Sequence, residues 1–152
     1  MSKYELKELL GAHNYTLSSA ESLTGGGFGY FITRHPGASE YFKGSIVTYV
    51  NEIKQKLGVS QKTLDKYGAI SEQCAREMAE NAQRFFKSDI AVSFTGNAGP
   101  EASEGKPVGL VYIAIRIKDK TYVYENNFRG DRELIRSQCI FFGVNQIQNL
   151  LK

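Results

Sequence analysis

Ser22 is placed where a nucleophile would be exposed, after a predicted strand and before a glycine-rich turn. The segment 20–26 reads Ala-Glu-Ser-Leu-Thr-Gly-Gly, and a helical pattern follows it. The amides of Thr24, Gly25 and Gly26 would lie at the N-terminus of that helix, where unpaired N–H groups and the helix dipole favour negative charge. Such a turn can hold the oxyanion formed when a serine attacks a carbonyl, bind a phosphate, or only start the helix.

A nucleophilic serine needs a base, and the two histidines are poor candidates for that role. His13 lies at the end of the first predicted helix and His35 lies in a turn before Pro36, so neither follows a strand. A lysine can replace histidine when burial lowers its pKa from about 10.4 towards neutrality. Lys54 is the candidate for such a base.

Lys54 lies at the start of a short predicted helix, with Tyr49 and Asn51 just before it at the end of a strand. The ends of strands in open α/β sheets converge on one crevice. We therefore expect Tyr49, Asn51 and Lys54 to face Ser22. The spacing also fits a solvated lysine at a helix start, because most lysines are exposed.

A second glycine-containing segment follows another predicted strand. The residues Gly96, Asn97, Ala98 and Gly99 precede a proline, so the loop is shaped by flexible glycines and one rigid residue. Its backbone donors could approach a ligand closely. The alternative is a plain connection between two elements.

Arg132 and Arg136 lie one turn apart at the start of the last predicted helix, which Asp131 caps. The planar guanidinium group binds carboxylate or phosphate through paired hydrogen bonds. We expect these arginines to contribute to substrate binding, with solvation on the helix surface as the alternative. The sequence has no His, Cys and Asp grouping at metal-ligand spacing, so no metal and no cofactor are expected.

Composition narrows the class of protein. The chain has 152 residues, of which 15 are glycine, and carries 19 basic against 16 acidic side chains. This length fits a single domain, residues 1–152. The charges are interspersed, so no nucleic-acid partner is expected. No apolar run reaches the length of a membrane span, and no signal peptide is apparent, so we expect a cytoplasmic protein without a membrane partner. Cys74 and Cys139 fit reduced thiols in the core.

Helices and strands alternate along most of the chain, with one hairpin towards the end. Hydrophobic periodicity predicts helices at 3–13, after the turn at 20–26, at 51–57, 60–66 and 71–86, and from 132 onwards. It predicts strands at 16–20, 41–50, 90–95, 108–117 and 121–128. Asn51, Ser60, Ser71 and Asp131 are the predicted N-caps. The predicted fold is a three-layer α/β/α sandwich with a mixed sheet.

The motifs together resemble the C-terminal domain of the CinA (competence-damage-inducible) proteins, over practically the whole chain. The enzymatic members of that family are nicotinamide mononucleotide deamidases of the PncC type. The resemblance is carried by seven segments in order: Ala20-Glu21-Ser22-x-Thr24-Gly25-Gly26, Pro36-Gly37-Ala38-Ser39, Tyr49-x-Asn51-Glu52-x-Lys54, Gly68-Ala69-x-Ser71-Glu72, Thr95-Gly96-x-Ala98-Gly99-Pro100, Lys106-Pro107-Val108-Gly109 and Gly130-Asp131-Arg132.

The resemblance implies hydrolysis of the carboxamide of nicotinamide mononucleotide to nicotinate mononucleotide and ammonia. Carried over by motif, Ser22 corresponds to the nucleophile, Lys54 and Tyr49 to its activating partners, and Arg136 to the arginine that assists substrate binding or catalysis. The resemblance also implies a homodimer. With 152 residues there is no room for the N-terminal domain that many CinA proteins carry, so we expect the stand-alone form.

Four positions depart from the family pattern. Leu23 replaces a frequent cysteine next to the nucleophile. Asn97 stands where an aliphatic residue is common, so its amide could contact the ligand or redirect the loop. Gly27 and Gly29 replace larger residues and are expected to loosen the start of the helix. Two alternatives to the amidase remain: a catalytically silent relative that acts by protein contacts in competence or DNA-damage responses, and a module that binds or hydrolyses nucleotide phosphates.

Overall fold

Two layers of helices surround a five-stranded sheet. The computed structural model describes residues 3–152. The elements in chain order are α1 Lys3–His13, β1 Leu17–Glu21, α2 Gly27–Thr33, a 3-10 turn Ala38–Glu40, β2 Phe42–Val47, α3 Asn51–Leu57, α4 Gln61–Tyr67, α5 Glu72–Phe86, β3 Ile90–Gly96, β4 Leu110–Ile117, β5 Lys120–Asn127 and α6 Arg132–Leu151. This confirms the predicted α/β fold class and the order of its elements.

The sheet is mixed, with strand order β2-β1-β3-β4-β5. β1 pairs in parallel with both β2 and β3, whereas β4 and β5 form an antiparallel hairpin on the edge of β3. The three parallel strands therefore end at one edge of the sheet. β1 is buried along its whole length, as is typical of a central strand covered on both faces.

Helices cover both faces of the sheet. On one face α1, α2 and α6 pack together around a core that includes Leu10, Phe28, Phe94 and Ile147. On the other face α5 lies across the strands, with α3 and α4 beside it. Cys74 and Cys139 are free and buried, one on each side of the sheet, as predicted. Within residues 3–152, no helix combines the length and the hydrophobicity needed to cross a bilayer.

The largest boundary error concerns the second strand, and it matters for the site. β2 ends at Val47, three residues earlier than predicted, and an extended segment leads to α3. Asn51 is the first residue of α3 and Val50 occupies the N-cap position without a side-chain hydrogen bond, so the predicted Asn51 cap is wrong. The predicted caps of α4, α5 and α6 are confirmed: the side chains of Ser60, Ser71 and Asp131 each accept a hydrogen bond from a backbone amide of their helix.

Asp89 forms hydrogen bonds at the edge of the sheet opposite to the one where the parallel strands end. Its carboxylate accepts hydrogen bonds from the amide of Thr16 at 2.8 Å and from Lys118 Nζ at 2.6 Å. Burial alone would raise the pKa of this carboxyl, but the hydrogen bonds from Lys118 and Thr16 outweigh burial and lower it. The ionised form is therefore favoured by folding.

We expect Asp89→Asn to lower the free energy of unfolding at neutral pH by about 1 kcal/mol. Because the pKa is lower in the folded state, the stabilisation is present above the unfolded value of about 3.9 and disappears as the pH falls through the folded value. Urea titrations of wild type and variant at a series of pH values check this. The two curves should converge in acid, and Asp119→Asn, in the exposed neighbouring turn, should stay close to wild type throughout.

Candidate active site

A pocket of about 790 Å³ lies where the three parallel strands end. Its walls come from the turn after β1, the segment between β2 and α3, the loop after β3 and the start of α6. Nine residues predicted from the sequence line it: Ser22, Tyr49, Asn51, Lys54, Gly96, Asn97, Ala98, Gly99 and Arg132. Residues from four separate segments thus meet around Ser22.

Ser22 and Lys54 are in direct contact. Lys54 Nζ lies 3.0 Å from Ser22 Oγ, and it also donates to the backbone carbonyls of Thr48 at 2.8 Å and Tyr49 at 3.1 Å. Only 2% of the Lys54 surface is exposed. None of the ion pairs among the described residues includes Lys54, so its amine is surrounded by neutral oxygen atoms.

Burial lowers the pKa of Lys54, and its electrostatic interactions with Cys74 and with the carboxylate of Glu104 offset only part of that effect. A neutral amine has two N–H groups and one lone pair. With the two N–H groups held by the carbonyls of Thr48 and Tyr49, the lone pair is left for the hydroxyl of Ser22. The geometry therefore suits Lys54 as a base for Ser22.

The early end of β2 explains how Lys54 reaches this position. Lys54 is the fourth residue of α3, and its amide donates to the carbonyl of Val50 at the helix start. Side chains on a helix lean towards its N-terminus, so Lys54 points back to the extended segment before the helix. That segment supplies the carbonyls of Thr48 and Tyr49.

Two of the three predicted oxyanion donors are already occupied. The amide of Gly25 donates to the carbonyl of Ser22, and the amide of Gly26 donates to the carboxylate of Glu21. This corrects the expectation that the amides of Thr24, Gly25 and Gly26 are all unpaired. In the turn, the amides of Leu23 and Thr24 have no acceptor among residues 3–152. They are the donors left for an oxyanion.

The two arginines of α6 have different surroundings. Arg136 does not line the pocket: its Nε donates to the carbonyl of Leu23 at 3.0 Å and its Nη2 to that of Thr24 at 3.4 Å, so it holds the turn from behind. The guanidinium of Arg136 is thus engaged by the serine turn, and its expected part in substrate binding or catalysis stays a prediction. Arg132 lines the pocket mouth and donates to the carbonyl of Gly99 at 2.6 Å and to the phenol oxygen of Tyr49 at 3.0 Å.

The chain is similar to known proteins along nearly its whole length. The sequence model of the CinA C-terminal domain matches residues 2–151. The chain belongs to the CinA C-terminal domain family. Proteins of Bacillus pumilus and Bacillus subtilis, both with the provisional name competence-damage inducible protein, are 46% identical to it over 149 and 138 residues. These matches cover 97% and 90% of this chain but 36% and 33% of the relatives, so the chain spans about a third of their length.

Solved structures of CinA superfamily proteins have the same fold. A competence-damaged protein superfamily member from Enterobacter cloacae superposes with a TM-score of 0.96 at 28% identity, over 99% of this chain and 90% of that one. One from Escherichia coli gives a TM-score of 0.93 at 31% identity, over 99% and 93%. The likeness extends over the strands and loops that form the pocket.

In this CinA domain Asn97 shapes the loop after β3. Its Nδ2 donates to the carbonyl of Lys106 at 3.2 Å, and its Oδ1 accepts from the amide of Gly99 at 3.3 Å. Its backbone also pairs with Leu110 and Gly109, so both ends of the loop are tied to this residue. Of the two roles expected for the Asn97 amide, these bonds favour fixing the loop.

Glu104 and Lys106 fasten the outer part of this loop, and the sequence reasoning missed both roles. Glu104 accepts from the amides of Ala69 at 2.9 Å and Ile70 at 3.1 Å, and Lys106 Nζ donates to the carbonyl of Tyr67 at 2.8 Å. Burial alone would raise the pKa of Glu104, but these amide bonds and Lys106 lower it. The wall opposite Ser22 is thus held by a charged pair bound to backbone groups of the turn before α5.

Proposed function

We propose that this chain is an amidohydrolase of nicotinamide nucleotides, which converts nicotinamide mononucleotide to nicotinate mononucleotide and ammonia. The observation that carries the proposal is the 3.0 Å contact between Ser22 Oγ and the buried amine of Lys54, which forms no ion pair among the described residues. A lysine in this state activates a serine without a histidine, which suits hydrolysis of an unactivated carboxamide. The choice of nicotinamide mononucleotide rests on the family resemblance.

In the first half of the reaction, neutral Lys54 takes the proton of Ser22 as its oxygen attacks the carboxamide carbon. The free amides of Leu23 and Thr24 are the donors for the resulting oxyanion, and one such donor is typically worth about 10²–10³ in rate. The ammonium form of Lys54 then donates to the oxygen of Ser22 and to the carbonyls of Thr48 and Tyr49. It next transfers one proton to the amide nitrogen of the substrate. The C–N bond breaks, ammonia departs and an ester of Ser22 remains.

In the second half, Lys54 takes a proton from water, and the resulting hydroxide attacks the ester. The C–O bond to Ser22 breaks, Lys54 returns the proton to the serine oxygen, and the acid product is released as its carboxylate after it loses its own proton to water. Tyr49 serves this cycle through its backbone carbonyl, because its phenol is engaged by Arg132. This favours direct proton transfer to Lys54 over a relay through the phenol of Tyr49.

The anionic end of the substrate requires a cation away from the reacting carbon. Arg132 lies at the pocket mouth, is exposed, and comes from a different wall than Lys54. Its guanidinium can bind a 5′-phosphate through two parallel hydrogen bonds. We propose Arg132 as the phosphate contact.

The direct test is formation of nicotinate mononucleotide and ammonia from nicotinamide mononucleotide by purified protein without added metal. Nicotinamide riboside and nicotinamide are assayed alongside, since loss of the phosphate should raise KM. A protein that acts only by protein contacts would yield neither product. A phosphate-hydrolysing module would instead release inorganic phosphate and leave the carboxamide intact.

The activity should depend on pH in the direction set by Lys54. Because the base must be neutral, kcat rises with pH through the pKa of Lys54, which burial places below the ordinary lysine value of about 10.4. The negative charge of Glu104 raises that pKa, so Glu104→Gln should move the rising limb to lower pH. Measurement of kcat at saturating substrate avoids the titration of the substrate phosphate near pH 6. A limb that moves to higher pH in Glu104→Gln would contradict this assignment.

A further inference from the structure

Glu21, the residue directly before Ser22, is a fully buried carboxylate that the proposed mechanism does not use. None of the ion pairs found in the described part of the chain includes it. Its charge is instead stabilised by four neutral donors. Oε1 accepts from the amides of Gly26 at 3.1 Å and Phe28 at 2.9 Å, and Oε2 accepts from the amide of Gly29 at 3.0 Å and the hydroxyl of Ser19 at 3.1 Å.

These bonds close a ring around the serine turn. The carboxylate belongs to the last residue of β1, and the first amide it binds lies five residues later, so residues 22–25 form the enclosed segment. Because β1 is buried in the centre of the sheet, Glu21 transmits the fixed position of that strand to the start of α2. The backbone of Glu21 is also fixed, since its carbonyl accepts from the amide of Thr48 at 2.8 Å.

Arg136 fixes the same turn through its carbonyl groups. Its guanidinium donates to the carbonyls of Leu23 and Thr24, whereas the carboxylate of Glu21 accepts from amides that follow the turn. In a trans peptide the carbonyl and the next amide point in opposite directions. The carbonyl of Leu23 faces Arg136, so the amide of Thr24 faces away from Arg136. The pair of charged side chains thereby sets the direction of the amide that the mechanism assigns to the oxyanion.

We propose that Glu21 is a positioning residue, which holds Ser22 against Lys54 and directs the free amides of the turn. This inference rests on the proposed function only in taking Ser22 as the nucleophile. A carboxylate is required because it has acceptor sites for all four donors. A glutamine would present an NH₂ group to at least one backbone amide that needs an acceptor. The turn would then shift, and a displacement of about 1 Å in a catalytic group can cost roughly 10²-fold in rate.

Glu21→Gln is the test, with Asp89→Asn as its matched control. Asp89 also accepts a backbone amide but lies at the opposite end of the sheet, so its variant should lose stability without loss of kcat. For Glu21→Gln, assayed well below its own Tm, we expect kcat to fall roughly 10–100-fold with KM changed less than about threefold. If kcat stays within threefold of wild type, Glu21 is only a helix cap and the proposal is overturned.

A second readout separates this proposal from the choice of substrate. A fluorophosphonate reacts with an activated serine, whose oxygen displaces fluoride, and intact mass reports the adduct on Ser22. Glu21→Gln should slow this reaction as it slows turnover, whereas a wild-type rate would overturn the positioning role. Wild-type protein that is labelled but releases no ammonia would overturn the proposed substrate alone. If Glu21→Gln does not fold, Glu21→Asp, whose shorter carboxylate keeps the charge but not the reach, is measured in the same two assays. Slower turnover and slower labelling support the positioning role, and wild-type rates in both overturn it.

Discussion

Replacement of Ser22 by alanine is expected to reduce kcat for nicotinamide mononucleotide by at least about 10⁴-fold, as the loss of a serine nucleophile does in other hydrolases. The fold should persist, because the hydroxyl has few partners. It contacts Lys54 Nζ at 3.0 Å and makes one long bond of 3.4 Å to the carbonyl of Tyr49. Removal of one oxygen from the pocket wall leaves the surrounding backbone bonds intact.

Three measurements test this prediction. Nicotinate mononucleotide formation gives kcat, thermal unfolding confirms the fold, and intact mass after rapid quenching detects the acyl-enzyme in wild type alone. Ser137→Ala, an identical change at an exposed position of α6, is the control and should turn over normally. Turnover of Ser22→Ala within tenfold of wild type would mean that water attacks the carboxamide directly.

The meeting of Ser22 with Lys54 was predictable because it follows from topology. Parallel strands end at one edge of a sheet, so residues just after β1 and β2 must lie close together. From the sequence, the lowered pKa of Lys54 could be anticipated only because a lysine base requires it. Its cause, burial of the amine, depends on side chains from several elements, and no local pattern in the sequence reports it.

The oxyanion donors show where local reasoning failed. A helix N-terminus offers free amides in isolation, and the sequence does not say that a side chain from the preceding strand takes them. The signal was present, since Glu21 is a charged residue at the end of a strand that is otherwise apolar or small. A carboxylate there must either face solvent or find donors, and in this chain it finds the amides of the next helix.

The different positions of Arg132 and Arg136 relative to the pocket could not be predicted for a similar reason. Residues four apart share one face of a helix, so their spacing does not say which of them reaches the pocket. That depends on where α6 begins relative to the turn, and the helix starts at Arg132, beside Gly99. Arg136, one turn further on, meets the carbonyls of the serine turn instead.

Two glycines of α2 were expected to loosen the helix start, and the packing gives a different reason for them. A Cβ on Gly29 would lie 2.5 Å from Ser45 Oγ, and one on Gly27 would lie 2.9 Å from Cδ1 of Ile140. Both distances are shorter than side-chain contacts allow. Glycine therefore lets α2 approach β2 and α6 closely, and this places the amide of Gly29 within reach of Glu21.

Replacement of Lys54 by methionine is expected to lower kcat by about 10²–10⁴-fold, the usual contribution of a general base. Methionine has a similar length and fills the same space. Methionine removes the cost of burying an ionisable amine, which offsets the loss of its bonds to the carbonyls of Thr48 and Tyr49, so the protein should still fold. Lys56→Met, two residues further along α3 at an exposed position, is the matched control and should keep full activity.

Two further variants distinguish a base from a simple positive charge. Arginine stays protonated at any pH the protein tolerates, so Lys54→Arg should be as inactive as Lys54→Met if the amine must accept a proton. Lys54→Ala leaves a space next to Ser22 into which a small primary amine fits. Added propylamine should then restore formation of nicotinate mononucleotide in proportion to the concentration of its neutral form. Restoration by the protonated form, or equal activity of the arginine variant and wild type, would assign Lys54 an electrostatic role and leave the base to be found elsewhere.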